Sequence, residues 1–465
     1  MKKTLLLLLS IVSQQTLFAQ APSAANGKIK VYFNLSTDKT VSTGENAITL
    51  DQSIDDTIIA YLNRAKHTID IAIYSFDNKN ISNISTAVNN ASKRGVKVRI
   101  IADGSNNNPA LSSINTAIPI VKSPLNMSPY GIMHNKFMII DANSTNPNDP
   151  VLWTGATNWT DNQIKYDAND VIVFQDQAIA QGYKAEFDEM WGSTGDTPNK
   201  TNSQFGPFKT DNTPHEYTIG GVKVEVYFSP SDETEKQMIE KINSANTALC
   251  VAGMLITRYD FADKIVAISG AGVKTYILVD DTVSSTAWSI FSADIPSQRL
   301  ASYDGNTSGI MHHKYILIDP NDAGSDPMVI TGSHNFTTAA NTKNDENTVI
   351  IHDATIANLY YQEFVKRFTT NGGEIDKPSG VNEFRISDFG FRIYPNPTDG
   401  KFTLQISDFG FAFSDLKVIN MLGQIVYQSE NANPKSEINF NLPQGMYFLQ
   451  MNDGKTISTQ KIVVQ

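Results

Sequence analysis

The stretch Gly131-Ile-Met-His134-Asn135-Lys136-Phe-Met-Ile-Ile-Asp141 returns almost letter for letter as Gly309-Ile-Met-His312-His313-Lys314-Tyr-Ile-Leu-Ile-Asp319. Each copy sets a His and a Lys two residues apart at the head of an apolar run closed by Asp. An extended strand turns alternate side chains to one face, so the His and Lys of each copy share a face and can aim at one ligand. Two copies of one polar signature predict one site built from two halves.

Each copy is followed by a second polar knot at what reads as a strand end: Thr154-Gly155-Ala156-Thr157-Asn158-Trp159-Thr160 and Thr331-Gly332-Ser333-His334-Asn335-Phe336-Thr337. The spacers, Asn143 to Pro150 and Pro320 to Pro327, are rich in Asn, Asp and Pro and read as extended hairpin loops that leave the flanking strands in place. The repeat continues outward. Val31-Tyr32-Phe33-Asn34 answers Val226-Tyr227-Phe228-Ser229. Each is followed by a helical stretch (54–65; 233–245), a strand (69–76; 248–256), a second helix ending at Gly95 or Gly272, and a buried strand (96–103; 273–280). After the two motif strands come a third run (170–174; 348–351) and a closing helix (177–191; 354–368). Alternating strands and helices predict α/β sheets covered on both faces.

On these residues the chain resembles the phospholipase D superfamily, whose pattern is H-x-K-x4-D followed by G-S-x-N, twice per active site; the likeness spans Lys28 to Thr370. A matched pair with matched surroundings is far more specific than a single motif. There are two departures. The spacers from Asp141 to Gly155 and from Asp319 to Gly332 are longer than the usual pattern, and the first knot reads Gly-Ala-Thr-Asn rather than Gly-Ser-x-Asn. The resemblance implies two pseudo-symmetric lobes, each a mixed sheet flanked by helices, packed about a pseudo-twofold axis with the motifs meeting at the seam.

The chemistry such a pair can perform is phosphodiester cleavage. One imidazole attacks phosphorus while the other protonates the leaving group, then reverses its role as water attacks the phosphohistidine. By resemblance, His134 is the nucleophile and His312 the acid. Lys136 and Lys314 can supply positive charge to the transferring group, and Asn158 and Asn335, helped by Thr157 and Ser333, neutral donors. They offer what a metal ion would otherwise give, and no cluster with metal-ligand spacing stands elsewhere in the sequence, so no metal and no cofactor are expected in the chemistry.

Each reacting His also needs its second nitrogen oriented. Glu346, entering a strand of the second half, suits that role. Its counterpart in the first half reads as Ala168, with Asp170 as the substitute two residues on and Asp167 as the rival. Asp141 and Asp319 are expected to support the strands, by capping them or pairing with charges, rather than to act on substrate. His313 and His334 flank the motif positions in supporting places, His67, His215 and His352 have no motif around them, and Trp153 and Trp159 read as core.

The rest of the chain speaks to location. Lys2 and Lys3 precede an apolar run from Leu5 to Val12 and then Leu17-Phe18-Ala19-Gln20, the pattern of a signal peptide, residues 1–19, removed on export. The lobes follow at 28–195 and 219–372, joined by a polar, Pro-bearing connection at 196–218, with a second linker at 373–390. From Phe391 short alternating strands separated by turn residues predict a small antiparallel sandwich, 391–465. Its Tyr394-Pro395-Asn396-Pro397 and closing Lys461-Ile-Val-Val464 resemble the C-terminal sorting domain of type IX secretion cargo, which implies that secretion machinery as a partner and a secreted or cell-surface protein exported through the periplasm.

A single Cys, Cys250, excludes an intramolecular disulfide, and its apolar setting reads as a small buried hydrophobe. The formal charge of −11 argues against a broad basic face. The leading expectation is therefore a secreted, monomeric phospholipase D acting on phospholipid at a membrane surface or lipid aggregate, with possible transfer to alcohols. A metal-independent endonuclease of the same superfamily, with nucleic acid as its partner, is one alternative. A catalytically idle surface adhesin is the other.

Overall fold

A computed structural model describes residues 24–77, 83–303 and 309–376, and in the tail 391–394, 398, 401–406, 415–420, 424–430, 437–439, 442–452 and 457–464. The expected signal peptide, most of the second linker and Pro395 to Pro397 lie outside the described residues. Two units, 1–375 and 376–465, separate by their contacts.

The first unit carries two eight-stranded sheets. In the first lobe the strands are β1 (Ile29–Phe33), β2 (Ile48–Thr49), β3 (Thr68–Ile73), β4 (Lys97–Ala102), β5 (Ile120–Lys122), β6 (Lys136–Ile140), β7 (Val151–Gly155) and β8 (Asp170–Phe174), in the order β2-β1-β8-β7-β6-β3-β4-β5. In the second they are β9 (Glu216–Ile219), β10 (Val222–Ser229), β11 (Ala248–Gly253), β12 (Lys274–Val279), β13 (Leu300–Ser302), β14 (Lys314–Ile318), β15 (Met328–Gly332) and β16 (Glu346–His352), in the order β13-β12-β11-β14-β15-β16-β10-β9. Read from opposite ends, the two orders coincide over seven strands. Only the edges β2 and β9 have no counterpart, and β9 begins inside the stretch that reads as a connection.

Both sheets are mixed, as expected. β3, β4 and β5 run parallel, like β11, β12 and β13, while the motif strands form antiparallel hairpins, with Ile140 opposite Val151 and Ile318 opposite Met328. The long Asn- and Pro-rich spacers are the hairpin loops between those pairs.

The helices are α1 (Ile54–Arg64), α2 (Asn83–Lys93), α3 (Asp161–Lys165) and α4 (Gln177–Trp191) in the first lobe. The second lobe holds α5 (Thr234–Ile242), α6 (Tyr259–Gly270), α7 (Trp288–Asp294), α8 (Thr338–Thr342) and α9 (Ala354–Thr370). Their starts are written in side chains. Asp176 accepts from the backbone N–H of Ala178 and Ile179, Asp353 from that of Ile356, and the last Thr of each knot, Thr160 or Thr337, caps the short helix that follows.

Three apolar layers result. One core joins the facing sides of the two sheets to α4 and α9, drawing Phe137, Leu152 and Ile172 from one lobe and Tyr315, Leu317 and Val349 from the other. A second core lies under α1 and α2 and a third under α6 and α7. Trp153 and Trp159 are fully buried in the second, and Cys250 is buried in the first. The lobes are thus halves of one packed body.

The second unit holds two antiparallel sheets. One is β17 (Phe391–Tyr394), β18 (Lys401–Ile406) and β21 (Glu437–Asn439); the other orders β20 (Ile425–Glu430), β19 (Asp415–Asn420), β22 (Gly445–Asn452) and β23 (Ile457–Val464).

Candidate functional site

The residues before each histidine cross to the other lobe. Met133 bridges Asp345 and Met311 bridges Ala168 in short parallel pairs. The His134 N–H donates to the Asp345 carbonyl at 2.9 Å, and the His312 N–H to the Ala168 carbonyl at 2.9 Å. Reciprocal backbone bonds of this kind fix both imidazoles at the seam.

The partners of the rings also cross. Nδ1 of His134 lies 2.8 Å from Oε2 of Glu346, and Nδ1 of His312 lies 3.0 Å from Oδ1 of Asn169. Glu346 therefore does not serve the histidine of its own half. Asn169, not Ala168, is its structural counterpart: Phe33 pairs with Asp170 as Phe228 pairs with Asn347, which aligns Asn169 with Glu346 and Ala168 with Asp345. The two substitutes read from sequence are both corrected. Asp170 binds Nδ1 of His313 at 2.8 Å, the Tyr360 hydroxyl at 2.9 Å and the Thr331 hydroxyl at 3.1 Å. Asp167 accepts from the Ile310 N–H at 3.1 Å.

Glu346 is held on three sides. Ser333 Oγ donates to the same Oε2 at 2.7 Å, and Asn344 Nδ2 to Oε1 at 3.0 Å. Burial opposes its charge, but His134 and Lys136 outweigh burial and hold its carboxyl at about 2. The first knot has Ala156 where the second has Ser333, and Thr157 instead donates to the Asp170 carbonyl at 3.0 Å.

Lys136 and Lys314 are buried beneath the histidines, each folded back on its own half's His carbonyl, at 2.5 Å and 2.6 Å. Lys136 Nζ also lies 5.1 Å from the centre of the Tyr74 ring, which meets His134 edge-on at 4.7 Å; Lys314 has Met254 Sδ at 3.5 Å in the corresponding place. Burial lowers all four titratable groups. His134 falls to about 4 and Lys314 to about 7, and Lys136 falls well below its ordinary value. His312 is lowered by burial first and then by Lys314, Lys136 and His134. Charges from both lobes thus act on one spot.

Asn158 has its Oδ1 on the Ser75 N–H at 3.2 Å and its Nδ2 on Gln163 Oε1 at 3.1 Å. Asn335 stands at the matching position with its Oδ1 unpaired among the described residues. The glycine opening each knot is required by geometry. Gly155 and Gly332 have φ of 141° and 146°, and a Cβ would meet the Asp170 carbonyl oxygen at 2.6 Å or that of Asn347 at 2.2 Å. Asp141 and Asp319 sit at the far end of the motif strands from the lysines, about 16 Å away at strand rise. Each has positive φ and accepts the backbone N–H groups that open the neighbouring strand, β3 or β11 (Lys66, His67 and Thr68; Asn246, Thr247 and Ala248).

Asn169, Tyr74 and Met254 were not legible as site residues. The signal for Asn169 was available, since it stands as far beyond Gly155 as Glu346 stands beyond Gly332. Among the described residues, the His and carboxylate atoms close enough together for a metal belong to Asp211, His215 and Asp232, on the connection and beside β10 rather than on the motif strands.

Residues 58–191 and 238–368 each match the family described as cardiolipin synthase, PLD-like domain, one copy per lobe and more than half of the chain together. The chain belongs to the phospholipase D-like family. Among phospholipase D-like relatives, a phospholipase D of Rickettsia bellii is 28% identical over 172 residues, 36% of this chain and 82% of that one. A phospholipase D of Rickettsia typhi is 33% identical over 148 residues, 32% of this chain and 69% of that one. A mitochondrial cardiolipin hydrolase of Chlamydomonas reinhardtii is 27% identical over 142 residues, 30% of this chain and 59% of that one. The crystal structure of phosphatidylserine synthase from Haemophilus influenzae superposes with a TM-score of 0.51 at 13% identity, covering 73% of this chain and 85% of that one, a likeness of fold. Residues 392–465 match the secretion system C-terminal sorting domain.

Proposed function

We propose that this phosphodiester hydrolase is a secreted phospholipase D that removes head groups from glycerophospholipids through a phosphohistidine on His134. The observation that carries the reading is the crossed pair of unlike ring partners, a carboxylate on His134 and a carboxamide on His312.

A neutral His134 whose Nδ1–H is held by Glu346 keeps its Nε2 lone pair for phosphorus. Once phosphorylated, the ring carries positive charge, which a carboxylate stabilises and an amide does not. The negative charge of the entering phosphodiester draws a proton onto Nε2 of His312, whose Nδ1–H stays on Asn169. In the first step the His134 N–P bond forms, the P–O bond to the head group breaks, and His312 gives that Nε2 proton to the departing oxygen. In the second, His312 takes a proton from water as that water attacks phosphorus; phosphatidic acid leaves and His134 is restored. Lys136, Lys314, Asn158 and Asn335 hold the nonbridging oxygens throughout. The names of the relatives and the acidic charge balance support lipid over nucleic acid, and the sorting domain supports export.

The test sets phosphatidylcholine and plasmid DNA side by side with chelator present. Choline release that persists in chelator is expected, and cleavage of DNA alone would overturn the substrate. Acid quench followed by peptide mapping should find phosphate on the His134 peptide; phosphate on the His312 peptide would reverse the two roles.

A further inference from the structure

Six large apolar side chains stand exposed among the described residues of the first unit, and four of them, Leu125, Met127, Tyr166 and Val283, lie on loops bonded to the residues that carry the two histidines. In the first lobe Asp103 accepts the N–H of Met133, next to His134, at 2.8 Å, and those of Ser105 and Asn106 at 2.9 and 2.7 Å. Asn106 Nδ2 donates to the Tyr74 carbonyl at 3.1 Å, and the Tyr74 ring packs on His134. Ser105 Oγ accepts the Asn126 N–H at 2.6 Å, so Leu125 and Met127, 61% and 65% exposed on either side of Asn126, stand on a loop tied to the one that holds Met133, outside the catalytic residues themselves.

The second lobe repeats the device. Asp280 accepts the N–H of Met311, next to His312, at 2.7 Å, and Asp281 holds the turn that lifts Val283 to 82% exposure. Tyr166, 43% exposed, closes the gap between lobes, its carbonyl oxygen lying 2.2 Å from where a Cβ on Gly309 would be.

The charges of these loops decide between possible occupants. Residues 103–130 contain two charged side chains, the buried Asp103 and the exposed Lys122; Asp280 and Asp281 precede the uncharged residues 282–293, and Lys165 and Asp167 flank Tyr166 with opposite signs, so the loops carry no excess of basic groups. A surface for a polyphosphate backbone or an anionic bilayer needs Lys and Arg. Apolar tips set among Ser, Asn and Pro suit a surface whose head groups carry no net charge and whose interior is hydrocarbon.

We infer that Leu125, Met127, Tyr166 and Val283 form a docking rim that inserts into a zwitterionic lipid bilayer and sets the paired histidines over the head-group layer. The inference rests on the lipid reading above and goes beyond it, because a phosphodiesterase acting on monomeric lipid needs no such rim. Each large side chain moved from water to the acyl boundary strengthens binding about tenfold.

The experiment uses the full chain with two substrates, phosphatidylcholine vesicles and a short-chain phosphatidylcholine below its critical micelle concentration. The double variant Leu125→Ser with Met127→Ser, and separately Val283→Ser, should lose about tenfold or more in vesicle flotation and vesicle hydrolysis, with kcat/KM on the monomeric lipid unchanged within about twofold. A Met127→Trp chain should show blue-shifted emission with the vesicles and none with plasmid DNA. If monomers are cleaved while the Ser variants keep full vesicle binding and hydrolysis, or the Trp emission does not move, the rim is refuted and the lipid reading stands. If neither lipid is cleaved by the unaltered chain, the lipid reading falls and the rim with it.

Discussion

Glu346 and Asn169 occupy equivalent places yet differ by one charge, and that difference separates two otherwise interchangeable imidazoles. Replacing Glu346→Gln keeps an acceptor for Ser333 and His134 but removes the charge that stabilises the phosphorylated ring. The expected loss is about 10²–10⁴ in kcat with folding intact, measured by head-group release alongside a thermal melt. Asn169→Asp is the converse. A carboxylate on Nδ1 of His312 favours the imidazolium, so its proton persists to higher pH. For the unaltered enzyme kcat/KM should fall as pH rises through about 7, where Lys314, lowered by burial, loses its charge. Burial, Lys314 and Lys136 hold His312 below its ordinary value, so it sets a separate limb on the acid side of that of Lys314, and in the Asn169→Asp variant the His312 limb should move up by roughly one pH unit while the Lys314 limb stays near 7. A His312 limb that stays in place would show that His312 does not supply the proton.

Beneath the site, the strand ends carry two related networks of opposite character. One is ionic. His313 sits between Asp170 at 2.8 Å and Glu363 at 3.2 Å, and burial, which would discharge the ring, is outweighed by those carboxylates, which raise it to about 9. The other is neutral, with Asn347 bonded to the hydroxyls of Thr154 at 3.0 Å and Tyr183 at 3.1 Å and Asn135 standing where His313 does. A histidine raised on folding gives stability that is complete below its unfolded value near 6.5 and disappears as pH rises through about 9. The melting temperature should therefore fall between those values, for a loss of about 3 kcal/mol. The double variant Asp170→Asn with His313→Asn, which copies the neutral network, should lack that fall.

These networks also mark where reading the sequence stops. The strands and helices were legible because apolar runs, Gly punctuation and Asp or Thr caps are local, and the repeat supplied each lobe twice. His134, Lys136, His312 and Lys314 were legible because a strand places alternate residues on one face. The partners were not, since Glu346 reaches His134 across 212 residues and Asn169 reaches His312 across 143, and no local pattern states which lobe's carboxylate meets which lobe's ring.

At the scale of the whole molecule, the lobes share one core through α4 and α9, whereas the tail is a unit of its own. Deleting 391–465 should leave the melting temperature and kcat of the rest within error of the full chain while stranding it in the periplasm. Unchanged levels in the culture medium would count against a sorting role. The connection between the lobes is more than a tether, since Lys209 is buried within it and pairs with Glu186 at 2.5 Å and Asp345 at 3.4 Å. Burial and the attraction of those carboxylates oppose each other there, and the carboxylates win, holding the ammonium charged. Lys209→Met would leave Glu186 without its cation and Asp345 with only the Tyr130 hydroxyl and the Gly206 N–H, and should cost about 3–5 kcal/mol in an unfolding titration.

The crossing of ring partners bears on how such a molecule can diverge. Were the halves two identical, separately made chains, any change from Glu to Asn would strike both imidazoles at once. Joined in a single reading frame, one half can carry an amide where its twin carries an acid. Coupling two copies end to end is what lets a symmetric pair specialise.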